Sequence, residues 1–173
     1  KNNQCIKGEM TLSGKSKKQQ EIQISIPELG INKRIDTDEN GKFTFEIISN
    51  KIKYWSTQNP YLYYVILTTK EDKLTDKIGF RSIKTKGSQI LLNGEPIFLK
   101  GISIHEESPI NHGRGHSIED AELLLKWAQD LGCNYVRLAH YPHNEHMIRL
   151  ADKLGILVWE ENPVYWTISW ENE

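Results

Sequence analysis

Residues 134–159 read NYVRLAHYPHNEHMIRLADKLGILVW, and this stretch decides the fold. Asn134–Arg137 is short and β-prone. His140-Tyr141-Pro142 follows as a loop. Met147, Leu150, Ala151 and Leu154 then recur at helical spacing, and Gly155 is placed to stop that helix. Ile156–Trp159 is a continuous apolar run, the pattern of a strand buried on both faces. Strand, loop, helix, strand is a βαβ unit of a parallel sheet. In such sheets the working residues sit at the carboxyl ends of the strands. Arg137, His140 and the pair Glu160–Glu161 fall there.

Upstream, Leu91-Leu92-Asn93-Gly94-Glu95-Pro96 reads as a hairpin around an Asn-Gly turn, leading into Ile97-Phe98-Leu99. Phe98–Ile104 is expected as a further parallel strand, with His105 and Glu106 at its carboxyl end. Pro109–His116 is a loop rich in Gly, His and Asn. Ser117 begins a helix, with Asp120 at capping-box spacing. Ile118, Ala121, Leu124, Leu125, Ala128 and Leu131 make its apolar face, and Gly132 ends it. Two βα units are thus followed by a third strand.

The first half follows another period. Gln4–Leu12 can form a strand. Ile22, Ile24 and Ile26 alternate with polar residues, as do Phe43, Phe45 and Ile47. That period of two marks half-buried strands. Asp38-Glu39-Asn40-Gly41 is a turn before the second set. Trp55–Pro60 is a loop, Tyr61–Thr69 a strand, and Lys77–Lys84 the last strand. Short strands with turns between them predict a β-sandwich. Residues 1–88 carry 16 Lys and Arg against 10 Asp and Glu, whereas residues 89–173 carry 6 against 13. The change places a domain boundary near residue 88: a sandwich over 1–88, the parallel segment over 89–173.

Composition limits the function. The basic half scatters its lysines between apolar strand positions without a base-binding motif, so no nucleic-acid partner is expected. Mean hydropathy is −0.57 and no apolar run reaches the roughly 20 residues of a membrane span. Cys5 and Cys133 lie far apart and suggest neither a disulfide framework nor a metal site. Cys133, beside a buried strand, reads as a small core residue. His112 and His116 lie in a Gly-rich loop, and no helical His pair supports zinc, so neither metal nor cofactor is expected. His143 and His146 read as exposed loop and helix-start residues. Lys1 opens into ordinary sequence; the location is periplasmic or extracellular if a signal was removed, otherwise cytoplasmic.

The run N-x-V-R-x-x-H-Y-P (Asn134, Val136, Arg137, His140, Tyr141, Pro142), with Asp152 and Gly155 beyond it, resembles a signature of glycoside hydrolase family 2. That family holds β-galactosidases, β-glucuronidases and β-mannosidases. Leu138 departs from it, where the family usually has a small residue. The L-N-G-x-P-x-x-L-x-G run from Leu92 is typical of the family where its barrel begins. Trp55 with Asn59-Pro60-Tyr61-Leu62-Tyr63, and Gly79-Phe80-Arg81 later, resembles its immunoglobulin-like domain. An immunoglobulin-like spacer unrelated to carbohydrate fits residues 1–88 as well.

The resemblance implies an immunoglobulin-like β-sandwich followed by the first part of a TIM (β/α)8 barrel. It implies an internal piece of a retaining exo-acting glycosidase cleaving terminal β-linked sugars from glycans, β-galactosidase first and β-glucuronidase as the alternative. A non-catalytic carbohydrate-binding module is the alternative from another class. His105, His140 and Glu161 would bind substrate; neutral imidazole suits a sugar hydroxyl, with one donor and one acceptor. Arg137 would hold the nucleophilic glutamate. Glu160 and Glu161 are not the catalytic pair, because strand neighbours point to opposite faces while retaining enzymes need two carboxyl groups about 5–5.5 Å apart. In the family the acid/base lies in an N-E at the fourth strand and the nucleophile at the seventh. Both are expected beyond Glu173, so no catalytic residue is assigned and these 173 residues alone are expected to be inactive. Asn172-Glu173 comes too soon after the third strand to be that N-E. The magnesium-binding E-T-H of some β-galactosidases is replaced by Val164-Tyr165-Trp166-Thr167, aromatics suited to a sugar platform or loop packing. A homo-oligomer is a possible assembly.

Overall fold

A computed structural model describes residues 4–164. The chain divides into two compact units, one of the residues up to Tyr54 with Tyr61–Phe80, the other of Trp55–Pro60 with the chain from Arg81 onward. The expected aromatics Tyr165 and Trp166, and Asn172-Glu173, lie outside the described residues.

The first unit is built of β1 (Gln4–Thr11), β2 (Glu21–Ile26), β3 (Ile31–Asp36), β4 (Lys42–Ser49), β5 (Tyr63–Thr68) and β6 (Lys73–Ile78). β1 pairs with β4 in one sheet; the other has the order β3-β2-β5-β6, all antiparallel. Ile6, Ile22, Ile24, Ile26, Phe43, Phe45, Ile47, Tyr63 and Val65 from both sheets form one buried cluster, so the sheets pack face to face. Burying an Ile side chain contributes about 1.5–3 kcal/mol. The Asp38–Gly41 turn is held by the Asp38 carboxylate, whose Oδ1 accepts from the amides of Asn40 (2.7 Å) and Lys42 (2.8 Å). β3 and β6 are the edges of that sheet and carry little alternation; charged and polar side chains there discourage pairing with other chains.

The second unit opens with β7 (Ile83–Lys86), β8 (Gln89–Leu92) and β9 (Glu95–Ile97), an antiparallel meander. The Asn93-Gly94 turn has φ of 55° and 91°, the positive values such two-residue turns demand. The expected strand Lys77–Lys84 is divided: β6 ends at Ile78 and β7 starts at Ile83. Between them Arg81 sits over the Trp55 ring, 4.4 Å from its centroid, with Nη2 3.0 Å from Asp152 Oδ1. Then come β10 (Gly101–Ile104), α1 (Ile118–Asp130), β11 (Tyr135–Leu138), α2 (Glu145–Leu154) and β12 (Leu157–Glu160). The last three strands are parallel, in the order β10-β11-β12.

Three expectations about this segment need correction. Phe98–Lys100 is not part of β10, and Phe98 is exposed. Asn134 holds that stretch instead: its Nδ2 donates to Phe98 O (3.0 Å) and its Oδ1 accepts from Lys100 N (2.8 Å). Ile118 and Leu131 are exposed at the two ends of α1, while Ala121, Leu125 and Ala128 are buried. A 13-residue helix is about 20 Å long, and it overhangs four-residue strands of about 13 Å. Finally, β12 is not buried on both faces. Helices cover it on one side, so Val158 packs against the helix-side cluster while Trp159, on the other face, is 59% exposed.

The matched positions Asp152 and Gly155 also acquire reasons. Trp55 is fully buried, and its Nε1 donates to Asp152 O at 2.8 Å. Gly155 caps α2 at φ 78°, and a Cβ there would meet the carbonyl of Thr57. The Trp55–Pro60 loop is thereby fastened to the end of α2.

Candidate active-site wall at the carboxyl end of the parallel sheet

Strand alternation sorts the candidates. Val136 and Leu138 of β11 face the helices and are completely buried. Arg137 faces the other way, in register with Ser103 and Trp159. His105 lies two residues past Ser103 and Glu161 two past Trp159, so period two returns both to the Arg137 face. Glu106 and Glu160 belong to the helix face.

The four predicted residues meet. Arg137 Nε donates to Glu161 Oε1 at 2.5 Å. His140 Nδ1 lies 3.1 Å from Arg137 Nη2 and 3.2 Å from Glu161 Oε2. Nδ1 can accept from the guanidinium or, when it carries the proton, donate to the carboxylate, but not both at once. The ring of His105 stands edge-on to that of His140, centroids 5.2 Å apart, and 6.3 Å from Tyr141. The Arg137 hydrogen bond holds the Glu161 carboxyl below the usual glutamate range against burial, with His140 adding to the effect. The same bond raises the Arg137 guanidinium above its ordinary value. With both partners partly exposed, the pair favours geometry more than stability.

On the helix face the carboxylates serve the backbone. Glu160 Oε1 accepts from His143 N at 2.7 Å, consistent with its pointing away from the cluster. The Glu106 side chain is completely buried. Its Oε1 accepts from Asn144 N (2.5 Å) and Asn144 Nδ2 (2.9 Å), and Oε2 pairs with Arg114 Nε. Burial pushes the Glu106 carboxyl up, but the two Asn144 bonds and Arg114 outweigh it and leave it low. Ser117 and Asp120 form the expected capping box, and Ser108 adds a 2.5 Å bond to Asp120. Asn144 caps α2 by accepting from Met147 N at 3.3 Å. Its place before a helical pattern was a readable cap signal. Nothing in the sequence showed that the cap would meet a buried glutamate.

His143 is a correction: it is buried, not exposed. Its Nε2 lies 3.0 Å from Ala139 O and its ring stacks on Tyr141 at 5.4 Å. Glu160 holds the His143 amide, and the ring folds back under the loop. His146 is exposed, as expected. Among the described residues no group of three or more His, Cys, Asp or Glu is arranged to hold a metal ion, and no helix is long and apolar enough to cross a membrane.

Comparison with known proteins gives the arrangement its context. The model of "Glycosyl hydrolases family 2, TIM barrel domain" matches residues 83–172, and that of "Glycosyl hydrolases family 2" matches residues 2–81. A β-glucuronidase of Streptococcus agalactiae is 36% identical over 137 residues, covering 73% of this chain and 22% of that protein. A β-galactosidase of Alteromonas mediterranea is 31% identical over 142 residues, covering 75% of this chain and 13% of that protein. The structure of Bifidobacterium dentium β-glucuronidase complexed with coumarin-3-O-glucuronide superposes with a TM-score of 0.83 at 28% identity, over 93% of this chain and 27% of that one. The chain therefore spans 22% and 13% of the length of these two relatives. Matches over both units, with convergence of the motif residues at one end of the sheet, establish the relationship: the chain belongs to glycosyl hydrolase family 2.

Proposed function

We propose that this chain supplies one wall of the active site of a retaining, exo-acting β-glycosidase. Its first unit is the immunoglobulin-like domain and its second the start of the (β/α)8 barrel. The observation that carries this reading is the convergence of His105, Arg137, His140 and Glu161 after three successive parallel strands. The two imidazoles bind hydroxyls of a terminal sugar, and Glu161 accepts from a third or orients His140. Arg137 spends only Nε on Glu161, and its fork offers further donors to the nucleophilic carboxylate from a later barrel strand. Proton transfer and covalent attack need an acid and a nucleophile flanking the bond; both come from the rest of the barrel.

The sugar is of the galactose or uronic-acid class, since the relatives are named β-galactosidases, β-glucuronidases and β-galacturonidases. The test is hydrolysis of p-nitrophenyl β-galactoside and β-glucuronide by the protein that carries this chain. Turnover on one of them, lowered by His140→Ala and by Arg137→Ala, is the expected result. A well-folded protein that hydrolyses neither of these, nor the β-galacturonide and β-mannoside, would overturn the reading.

A further inference from the structure

The loop between β11 and α2 carries His140, and its two ends are held from the same strand. Ala139 N donates to Ile104 O at 2.9 Å, at the end of β10. Asn144 N donates to Glu106, two residues beyond that strand. Glu106 also joins the loop after β10 to the same point. Its Oε2 takes Arg114, its carbonyl accepts from Gly115 N at 3.0 Å, and Gly115 O accepts from Asn144 Nδ2 at 3.1 Å. A buried carboxylate with only donors around it is a fixed point, because each donor loses its partner if the loop shifts. It also lies at the start of α2, where the helix dipole favours negative charge.

We infer that Glu106 is a positioning residue: its buried carboxylate sets the separation of His105 and His140 by tying both histidine-bearing loops to the first turn of α2. This deepens the reading of those imidazoles as hydroxyl ligands and rests on it for its effect on substrate. Glu106 itself faces the helices and touches no sugar. Its ionised state matters, since a neutral acid would present an O–H to groups that only donate. The carboxyl is held below the usual glutamate range, so it stays ionised at neutral pH.

Glu106→Gln keeps the shape but sets an amide N–H₂ against either Arg114 or Asn144. Asn144→Asp keeps the cap acceptor for Met147 but opposes two carboxylates. The readout is the through-space proton signal between the His105 and His140 rings by NMR, with a melting curve in parallel. In both variants the ring-to-ring signal is expected to disappear. In the glycosidase carrying this chain kcat/KM should fall by about 10²-fold, the scale of a 1 Å misplacement. If Glu106→Gln does not fold, Asn144→Asp decides. Folded variants with lower melting temperature but an unchanged ring-to-ring signal would overturn the inference. A wild-type protein without glycosidase turnover, whose variants nevertheless separate the two rings, would sink the functional reading and leave the positioning role standing.

Discussion

The two units bury different kinds of group. In the first unit the buried cluster is apolar, supplied mainly by alternate residues of β1, β2, β4 and β5, and Thr37 is a buried polar residue beside it. In the second an apolar cluster lies between the sheet and α1 and α2, but Glu106, Ser108, Asp120 and His143 are buried at the sheet's carboxyl end. Buried polar groups cost free energy unless they are bonded. In this unit most of their bonds go to loop backbone or helix caps, so they shape loops. The lesson is that stability and site geometry are separable here: the first unit is fastened by burial, the candidate site by hydrogen bonds.

The sharpest challenge to that division is Trp55. In sequence it lies among the strands of the first unit, yet its partners are Arg81, Asn93 and Asp152 of the second. Trp55→Ala should cost about 3–5 kcal/mol. The loss should appear as faster amide hydrogen exchange in α2 and β11, with β2 and β4 unchanged. Faster exchange confined to β2 and β4 would show that the tryptophan belongs with the sandwich.

The converse is Ile24, fully buried between the two sheets of the first unit. Ile24→Ala should cost about 2–5 kcal/mol in urea unfolding. The proximity of the His105 and His140 rings should survive wherever the protein remains folded. Rings that separate in folded protein would mean the sandwich core sets site geometry after all.

A smaller effect is expected at the cap of α1. Ser117 Oγ accepts from Asp120 N at 3.0 Å and donates to Asp120 Oδ2 at 2.8 Å. Ser117→Ala should cost about 1 kcal/mol. The Ser108–Asp120 bond should keep the loop after β10 in place, so the two histidine rings should again stay together.

These contrasts explain what the sequence could reveal. β2 and β4 were legible because alternation and burial coincide residue by residue. The βαβ stretch was legible because Met147 and Ala151 keep helical spacing between two β-prone runs. β3 and β6 were not, because their inward positions are not consistently apolar: Ile31 and Ile35 of β3 pack on the core, with exposed Lys33 between them. Position alone marked His105 and His140 as strand-end residues; their reading as sugar ligands needed the family resemblance as well. Glu106 was visible as a strand-end carboxylate but not as the anchor of Asn144, 38 residues away. That bond depends on strand order, which alternation does not encode. The same holds for Trp55 and Asp152, 97 residues apart.

The smallest expected effect concerns acid. Glu161 and Asp38 both titrate below the ordinary carboxylate range, for different reasons. For Glu161 the leading cause is the Arg137 hydrogen bond; for Asp38 it is the backbone amides of Lys42 and Asn40. Each carboxylate contributes stability that is fully present above its unfolded pKa, about 4.3 for Glu and 3.9 for Asp. That contribution is lost as pH falls through the lower folded value. Both groups have access to water, so little of this should register in a melting curve. The titration itself should register it. Followed by carboxyl ¹³C shifts, the Glu161 midpoint should rise toward the ordinary range in Arg137→Met, and should rise in high salt, which screens partly exposed charges. His140→Asn should move it less, because the imidazole ranks behind the guanidinium among the groups that lower it. Asp38 should be indifferent to both variants and less sensitive to salt, because peptide amides hold it. An unmoved Glu161 midpoint in Arg137→Met would mean that the pairing at the sheet's end does not exist in solution, and the site would lose its geometric centre.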